Sequence, residues 1–156
     1  MSDASDKLCF LVVDDQPLIT GALSMLLTSE NPDSEVFTAN SVDEARKLVH
    51  SHAPEADLLI LDLSMPGVVG TSLLEEFVRE EPSLKILVLS GVTDRESVMN
   101  TLSLGAAGFV PKTLDTDLLL TAIHFVLKGG VYLPSKIIEE SQRRGFFAEA
   151  GEGIAG

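Results

Sequence analysis

The chain has 156 residues, 45% of them apolar, and 11 Lys and Arg against 24 Asp and Glu, a formal charge of −13. That length fits one domain, and the apolar share excludes a disordered chain. The acidic balance argues against direct nucleic-acid binding, which needs clustered Lys and Arg. One cysteine, Cys9, excludes an intramolecular disulfide framework and reads as a small buried hydrophobe. No run approaches the roughly 18 apolar residues of a membrane span. Met1–Lys7 is too polar and acidic for a signal peptide, so a cytoplasmic location without membrane contact is expected.

Leu8–Val13 is a continuous apolar run of the length expected for a strand buried on both faces. A helix follows, with Pro17 suited to its first turn and Leu18, Ala22, Leu23, Leu26 and Leu27 on one face. Glu35–Ala39 reads as a short strand. The next helix starts behind Ser41 as N-cap, with Glu44 three residues on, and carries Val42, Ala45, Leu48 and Val49. Leu58–Leu63 is a nearly all-aliphatic strand, and Leu73, Leu74, Phe77 and Val78 mark a third helix that ends near Pro82. Ile86–Leu89 is the fourth strand. Val98 and Leu102 mark a fourth helix that stops at Gly105. Gly108–Val110 is the shortest strand. Leu118, Leu119, Ala122, Ile123 and Val126 form a fifth helix closed by Gly129-Gly130.

Five strand–helix alternations predict an α/β fold, a flavodoxin-like doubly wound (βα)5 sandwich with a parallel five-stranded sheet in order 2-1-3-4-5. Ligands in such a sheet bind outside the carboxyl ends of the strands. Residues 1–130 form the domain, and residues 131–156 read as a linker or C-terminal tail. Within that tail Val131–Pro134 is apolar, Ser135–Arg144 suits a short helix, and the Gly- and Ala-rich remainder holds the pair Phe146-Phe147, unusual for a linker.

The chemistry lies at the strand ends. Strand one ends in Asp14-Asp15, strand three runs into Asp62, strand four ends in Ser90-Gly91, and Lys112 follows strand five. Strands one and three are neighbours in the expected order, so three carboxylates converge, with Ser90 and Lys112 approaching from the other side. Carboxylates so placed repel unless a cation joins them, and Mg2+, a hard ion that favours oxygen ligands, is the natural one. Lys112 pairs with a carboxylate or a phosphoryl oxygen, and Ser90 offers a hydroxyl donor. Phosphoryl transfer to an aspartate needs this set, because charge on the moving group must be neutralised and the group held in line. Taken singly, Asp14-Asp15 is a capping cluster, Asp62 and Ser90-Gly91 are turn residues, and Lys112 is a solvated lysine. Their joint placement on four strand ends favours the site.

The segments FLVVDD (Phe10–Asp15), LILDLSMPG (Leu59–Gly67), VLSG (Val88–Gly91) and GAAGFVPK (Gly105–Lys112) together resemble the receiver domain of two-component response regulators, over most of the chain. With GGVYLP (Gly129–Pro134), the last of them resembles the LuxR-type subfamily, in which a helix-turn-helix DNA-binding domain follows the receiver. The resemblance implies that Asp62 is the phosphoacceptor, served by a sensor histidine kinase or a small acyl phosphate. It implies that Asp15, Asp62 and the backbone carbonyl of Ser64 bind Mg2+ directly, that Asp14 acts through water, and that Lys112 grips a phosphoryl oxygen. Ser90 would move toward the phosphoryl group and Phe109 would turn inward behind it. The face made by the fourth helix, fifth strand and fifth helix would change, and so control an output domain or partner, with transcription the expected outcome. No catalysis is implied beyond self-catalysed phosphotransfer and autodephosphorylation. Homodimerisation through the C-terminal helices is a further expectation.

Several features depart from the family pattern. Many receivers have Pro after the lysine, in a cis bond. Thr113 follows here, and a cis Lys112–Thr113 bond would cost a few kcal/mol more than a cis prolyl bond. Phe109 stands where Tyr is frequent, and Ser64 and Val92 occupy positions that tune phosphoryl lifetime. No output domain follows, so the chain reads as the receiver piece of a longer regulator. The rival readings are a Mg2+-dependent phosphohydrolase, whose second acid is here Ser64, and a pseudo-receiver, against which the intact Asp14, Asp15, Asp62, Ser90 and Lys112 set stands. His50 and His52 lack a third metal ligand and read as a solvated helix end. His124 reads as a surface residue.

Overall fold

The computed structural model describes residues 7–112 and 115–134, and strand and helix alternate through them five times. The strands are β1 (Cys9–Val13), β2 (Glu35–Ala39), β3 (Leu58–Asp62), β4 (Ile86–Ser90) and β5 (Gly108–Pro111). The helices are α1 (Pro17–Glu30), α2 (Val42–His52), α3 (Ser72–Glu80), α4 (Arg95–Ser103) and α5 (Thr116–Leu127). All five strands form one parallel sheet in the order β2-β1-β3-β4-β5, the doubly wound arrangement expected of the alternation. β3 ends at Asp62, one residue before its apolar run does, and β4 extends to include Ser90.

Every residue of β1, β3 and β4 is buried, which accounts for their unbroken aliphatic runs. Alternate residues serve opposite faces. Leu11, Leu59, Val88 and Phe109 pack with Ala45, Leu74, Phe77 and Val98 under α2, α3 and α4. Phe10, Ile60, Leu87 and Val110 pack with Leu23, Leu27, Ala122 and Val126 under α1 and α5. Edge strand β2 is only partly buried, and its sequence is correspondingly more polar. Burial, then the carboxylates of Glu55, Glu35 and Asp57, push the Cys9 thiol up to about 11, so it stays protonated in the core.

The helix ends are capped locally. Pro17 opens α1. Ser41 Oγ accepts from Glu44 N (3.2 Å), while Glu44 Oε1 accepts from Asn40 N (2.8 Å), so Asn40 is held at the mouth of α2. Asp94 and Asp115 cap α4 and α5, accepting from Ser97 N and Leu118 N. At the other end of α5, Lys85 Nζ donates to the carbonyls of Val126 and Leu127 (3.3 Å each).

Just beyond α5, Tyr132 returns to the sheet. Tyr132 bridges in parallel to Gly108, donating from N to Ala107 O (3.0 Å) and accepting at O from Phe109 N (3.1 Å). The start of the segment read as a linker is thus laid along the free edge of β5. The expected helix over Ser135–Arg144, the Phe146-Phe147 pair and the Lys112–Thr113 bond lie outside the described residues. Among the described residues, no helix is long and apolar enough to cross a membrane.

A Cβ on Gly108 would lie 2.7 Å from Leu87 Cδ1 and 3.2 Å from Tyr132 Cβ. Gly108→Ala is therefore expected to destabilise the chain by about 1–3 kcal/mol, read as a lower urea midpoint. An unchanged midpoint would mean that β4 and the Tyr132 segment yield without cost.

Candidate functional site

Three carboxylates meet because β1 and β3 are paired and in step. Val13 lies opposite Leu61, which sets Asp14 beside Asp62 just beyond the ladder. Both carboxylates are fully buried, and Asp15 is partly so. One oxygen from each of Asp14, Asp15 and Asp62 lies within 4.8 Å of the others. Each buried carboxylate is also steadied by its own turn: Gln16 N donates to Asp14 Oδ1 (2.9 Å) and Ser64 N to Asp62 Oδ1 (3.0 Å). In each, one oxygen is taken by the turn and the other faces Lys112.

Lys112, just past β5, reaches the second oxygens. Its Nζ lies 3.0 Å from Asp62 Oδ2, to which it donates a hydrogen bond, and 2.9 Å from Asp14 Oδ2. The Asp14 contact is a close ion pair, and that buried oxygen has no hydrogen-bond partner beyond it. Lys112 N donates to Ser90 O (2.8 Å), which anchors the lysine to the end of β4.

Burial pushes the Asp14 carboxyl above its ordinary value. Asp62 adds to the rise, while the Gln16 N–H and Lys112 oppose it. Burial pulls the Lys112 ammonium down, but Asp14 and Asp62 outweigh this and hold it above its ordinary value. One ammonium against three carboxylates leaves an excess of negative charge in a mostly buried site. The donors are all oxygen and one of them lacks a hydrogen bond, which fits a hard divalent cation such as Mg2+.

Ser90 and Phe109 stand beside this cluster. The Ser90 hydroxyl accepts from Val92 N (3.0 Å) and donates to Val92 O (3.3 Å), so it is turned into its own loop. Phe109 is 1% exposed and, with Ser64, Ser90 and Thr101, lines a cleft of about 410 Å³ between the β3–α3 loop and α4. The histidines stay apart from the site. His50 Nε2 meets Glu80 (3.1 Å), His52 Nδ1 meets Glu55 (3.2 Å) with its ring stacked on Phe37, and His124 is exposed on α5.

One residue of the site escaped the sequence reading. Asn40 follows β2, and its Nδ2 donates to the backbone carbonyl of Asp14 (2.8 Å) and to Thr20 Oγ1 (3.0 Å). The signal was available in the strand order: β2 neighbours β1, so the residue after β2 also reaches the carboxyl end of the sheet.

A parallel sheet in this order, with an acidic cluster at the end of β3 and a lysine facing it, is a phosphoacceptor fold of the receiver type. The chain belongs to the response regulator receiver domain family, whose model matches residues 10–124. It is 34% identical over 135 residues to the glycerol metabolism activator of Pseudomonas putida, covering 86% of this chain and 61% of that protein. The chain thus spans about three fifths of that relative's length. It is similar to the solved structure of a CheX–CheY–BeF3–Mg2+ complex from Borrelia burgdorferi, with 27% identity and a TM-score of 0.71 over 76% of this chain and 88% of that one. It is also similar to a LuxR family DNA-binding response regulator from Silicibacter pomeroyi, with 28% identity and a TM-score of 0.70 over 83% of this chain and 98% of that one. A receiver domain catalyses only its own phosphorylation and dephosphorylation. The Asp14, Asp15 and Asp62 cluster is of the kind typical of the receiver Mg2+ site.

Because the folded Asp14 carboxyl titrates above 3.8, the native state binds more protons than the unfolded state in the window just above that value. Stability of the metal-free chain therefore falls as pH rises through that window and stays reduced at neutral pH. Asp14→Asn is expected to raise the urea midpoint at pH 7 without metal, with the gain vanishing below the window. A lowered midpoint at pH 7 would show that pairing with Lys112 outweighs the burial of Asp14.

Proposed function

We propose that the chain is a phosphorylation-dependent switch in which Asp62 accepts a phosphoryl group from a sensor histidine kinase or a small acyl phosphate. The observation that carries this reading is Lys112 Nζ seated between Asp14 and Asp62, at 2.9 and 3.0 Å, beyond the carboxyl ends of the sheet. Asp15, Asp62 and the backbone carbonyl of Ser64 would hold Mg2+, and Asp14 would act through water. The ion, when bound, neutralises charge shared by the carboxylates and the phosphoryl oxygens.

In the transfer, an oxygen of Asp62 bonds to phosphorus as the donor's bond to phosphorus breaks, and that electron pair leaves with the donor. The Ser64 N–H keeps the Asp62 carboxylate from rotating. Lys112 exchanges its Asp62 contact for a phosphoryl oxygen while its Asp14 contact persists. Ser90 releases Val92 and donates to a second phosphoryl oxygen. Phe109, which shares a cleft with Ser90, shifts with it and reshapes the α4–β5–α5 face. Support for the Ser90 step is that its hydroxyl is engaged only by its own loop, at Val92, and by none of the site's charged groups.

The output is transcription, exerted through a helix-turn-helix domain beyond a linker that occupies residues 131–156. The likeness to a LuxR family DNA-binding response regulator supports this assignment. The chain itself does not contact nucleic acid, in keeping with its charge of −13. It works in the cytoplasm, where it pairs with a second copy through its C-terminal helices. Phe125 on α5 and Met99 on α4, 50% and 41% exposed, supply apolar surface for that pairing.

Incubation with Mg2+ and acetyl phosphate is expected to add one phosphoryl group by mass, and Asp62→Ala or omission of Mg2+ to abolish the gain. No gain from any donor, a kinase included, would overturn the reading. Beryllofluoride with Mg2+ is expected to move the NMR resonances of Ser90 and Phe109. Unchanged resonances there would favour a pseudo-receiver, a binding module without the switch.

A further inference from the structure

The hydrogen bonds of Asn40 form a closed account. Both protons of its amide are committed, one to Asp14 O and one to Thr20 Oγ1. A carbonyl only accepts, so the nitrogen end of the amide must face Asp14. Thr20, buried in the first turn of α1, spends its own proton on Pro17 O (3.2 Å), which leaves a lone pair for Asn40. The Asn40 backbone N–H is taken by Glu44 Oε1. One side chain thereby joins the ends of β1 and β2 to the first turn of α1.

The carbonyl that Asn40 holds belongs to the peptide linking Asp14 to Asp15. Asp14 has other restraints: its N donates to Ala39 O (3.1 Å), and its carboxylate meets Gln16 N and Lys112. Among the described residues, nothing hydrogen-bonds to or pairs with the Asp15 carboxylate. That carboxylate is nevertheless one of the three that converge. Its position is therefore set through its backbone, and the peptide plane entering Asp15 is the one that Asn40 clamps.

We propose that Asn40 is a positioning residue for the divalent-cation site, aiming Asp15 through the Asp14–Asp15 peptide at the point where Asp14 and Asp62 meet. The inference rests on the metal-binding reading above. Asparagine suits the role for a chemical reason. Aspartate has no proton to give, serine has one donor for two acceptors, and glutamine adds a methylene to a fixed span.

The test uses the 156-residue chain, with Mn2+ as probe read by loss of the free-ion EPR signal and competed by Mg2+. Asn40→Ala is expected to weaken Mn2+ binding on the order of tenfold. Thr20→Val keeps the shape of α1 and removes the second anchor of Asn40 together with the bond from Thr20 to Pro17 O, and it leaves the Asn40 bond to Asp14 O in place, so it should weaken binding less. The double variant should bind no worse than Asn40→Ala alone, because both changes act through one contact chain. Phosphate uptake from acetyl phosphate should half-saturate at a correspondingly higher Mg2+ concentration, while its rate at saturating Mg2+ stays close to that of the parent. Unchanged Mn2+ affinity in Asn40→Ala, or a saturated rate that falls in step with a lowered urea midpoint, would overturn the proposal. If the parent chain neither binds Mn2+ nor takes up phosphate, the phosphoacceptor reading fails and this inference with it. A parent that does both, beside an Asn40→Ala chain of unchanged affinity, overturns this inference alone.

Discussion

The Lys112 ammonium wedged between two buried carboxylates is the constraint around which the site is arranged. Burying an ionised group costs several kcal/mol, and an unpaired one cannot be kept charged there. Lys112 compensates Asp14 and Asp62 in part, and only in part, because three carboxylates share it. What remains is an unmet demand for positive charge, with one Asp14 oxygen lacking a hydrogen bond. Such a site persists only on a rigid support, which the fully buried strands β1, β3 and β4 provide.

Parallel pairing makes that support directional. All five strands point their carboxyl ends the same way, so residues far apart in the chain arrive at one edge without any local motif. The backbone then finishes the placement. Gln16 and Ser64 amides fix one oxygen of each buried carboxylate, Asn40 holds the peptide between Asp14 and Asp15, and the Lys112 amide docks on Ser90. Ser90 is thus tied by its carbonyl to the lysine, while its hydroxyl is engaged only within its own loop. The same residue is joined to the lysine through its backbone and to its own loop through its side chain.

Phe109 links this edge to the far side of the domain. Its ring sits in the core beside the Ser90 cleft, and its amide donates to Tyr132, the first paired residue after α5. Gly108 permits that contact, because any Cβ would strike Leu87 and crowd Tyr132. The backbone of β5 at Phe109 is thus hydrogen-bonded directly to the segment that follows α5. The link is made by hydrogen bonds on adjacent residues and needs no long-range path.

The number, type and order of the elements were legible in the sequence, because aliphatic runs and helical spacing are local consequences of which face each residue must bury. That Asp14, Asp15, Asp62 and Lys112 would meet was legible too, because a parallel sheet brings the residues at its strand ends to one edge. Only the tertiary structure decided how these side chains divide their hydrogen bonds. That Asn40 would find both Asp14 O and Thr20 Oγ1 depends on how closely α1 packs against the ends of β1 and β2. That Tyr132 would join β5 depends on where α5 leaves the chain. Such pairings join residues distant in sequence over a few ångströms, a relation that the periodicity of apolar residues does not record.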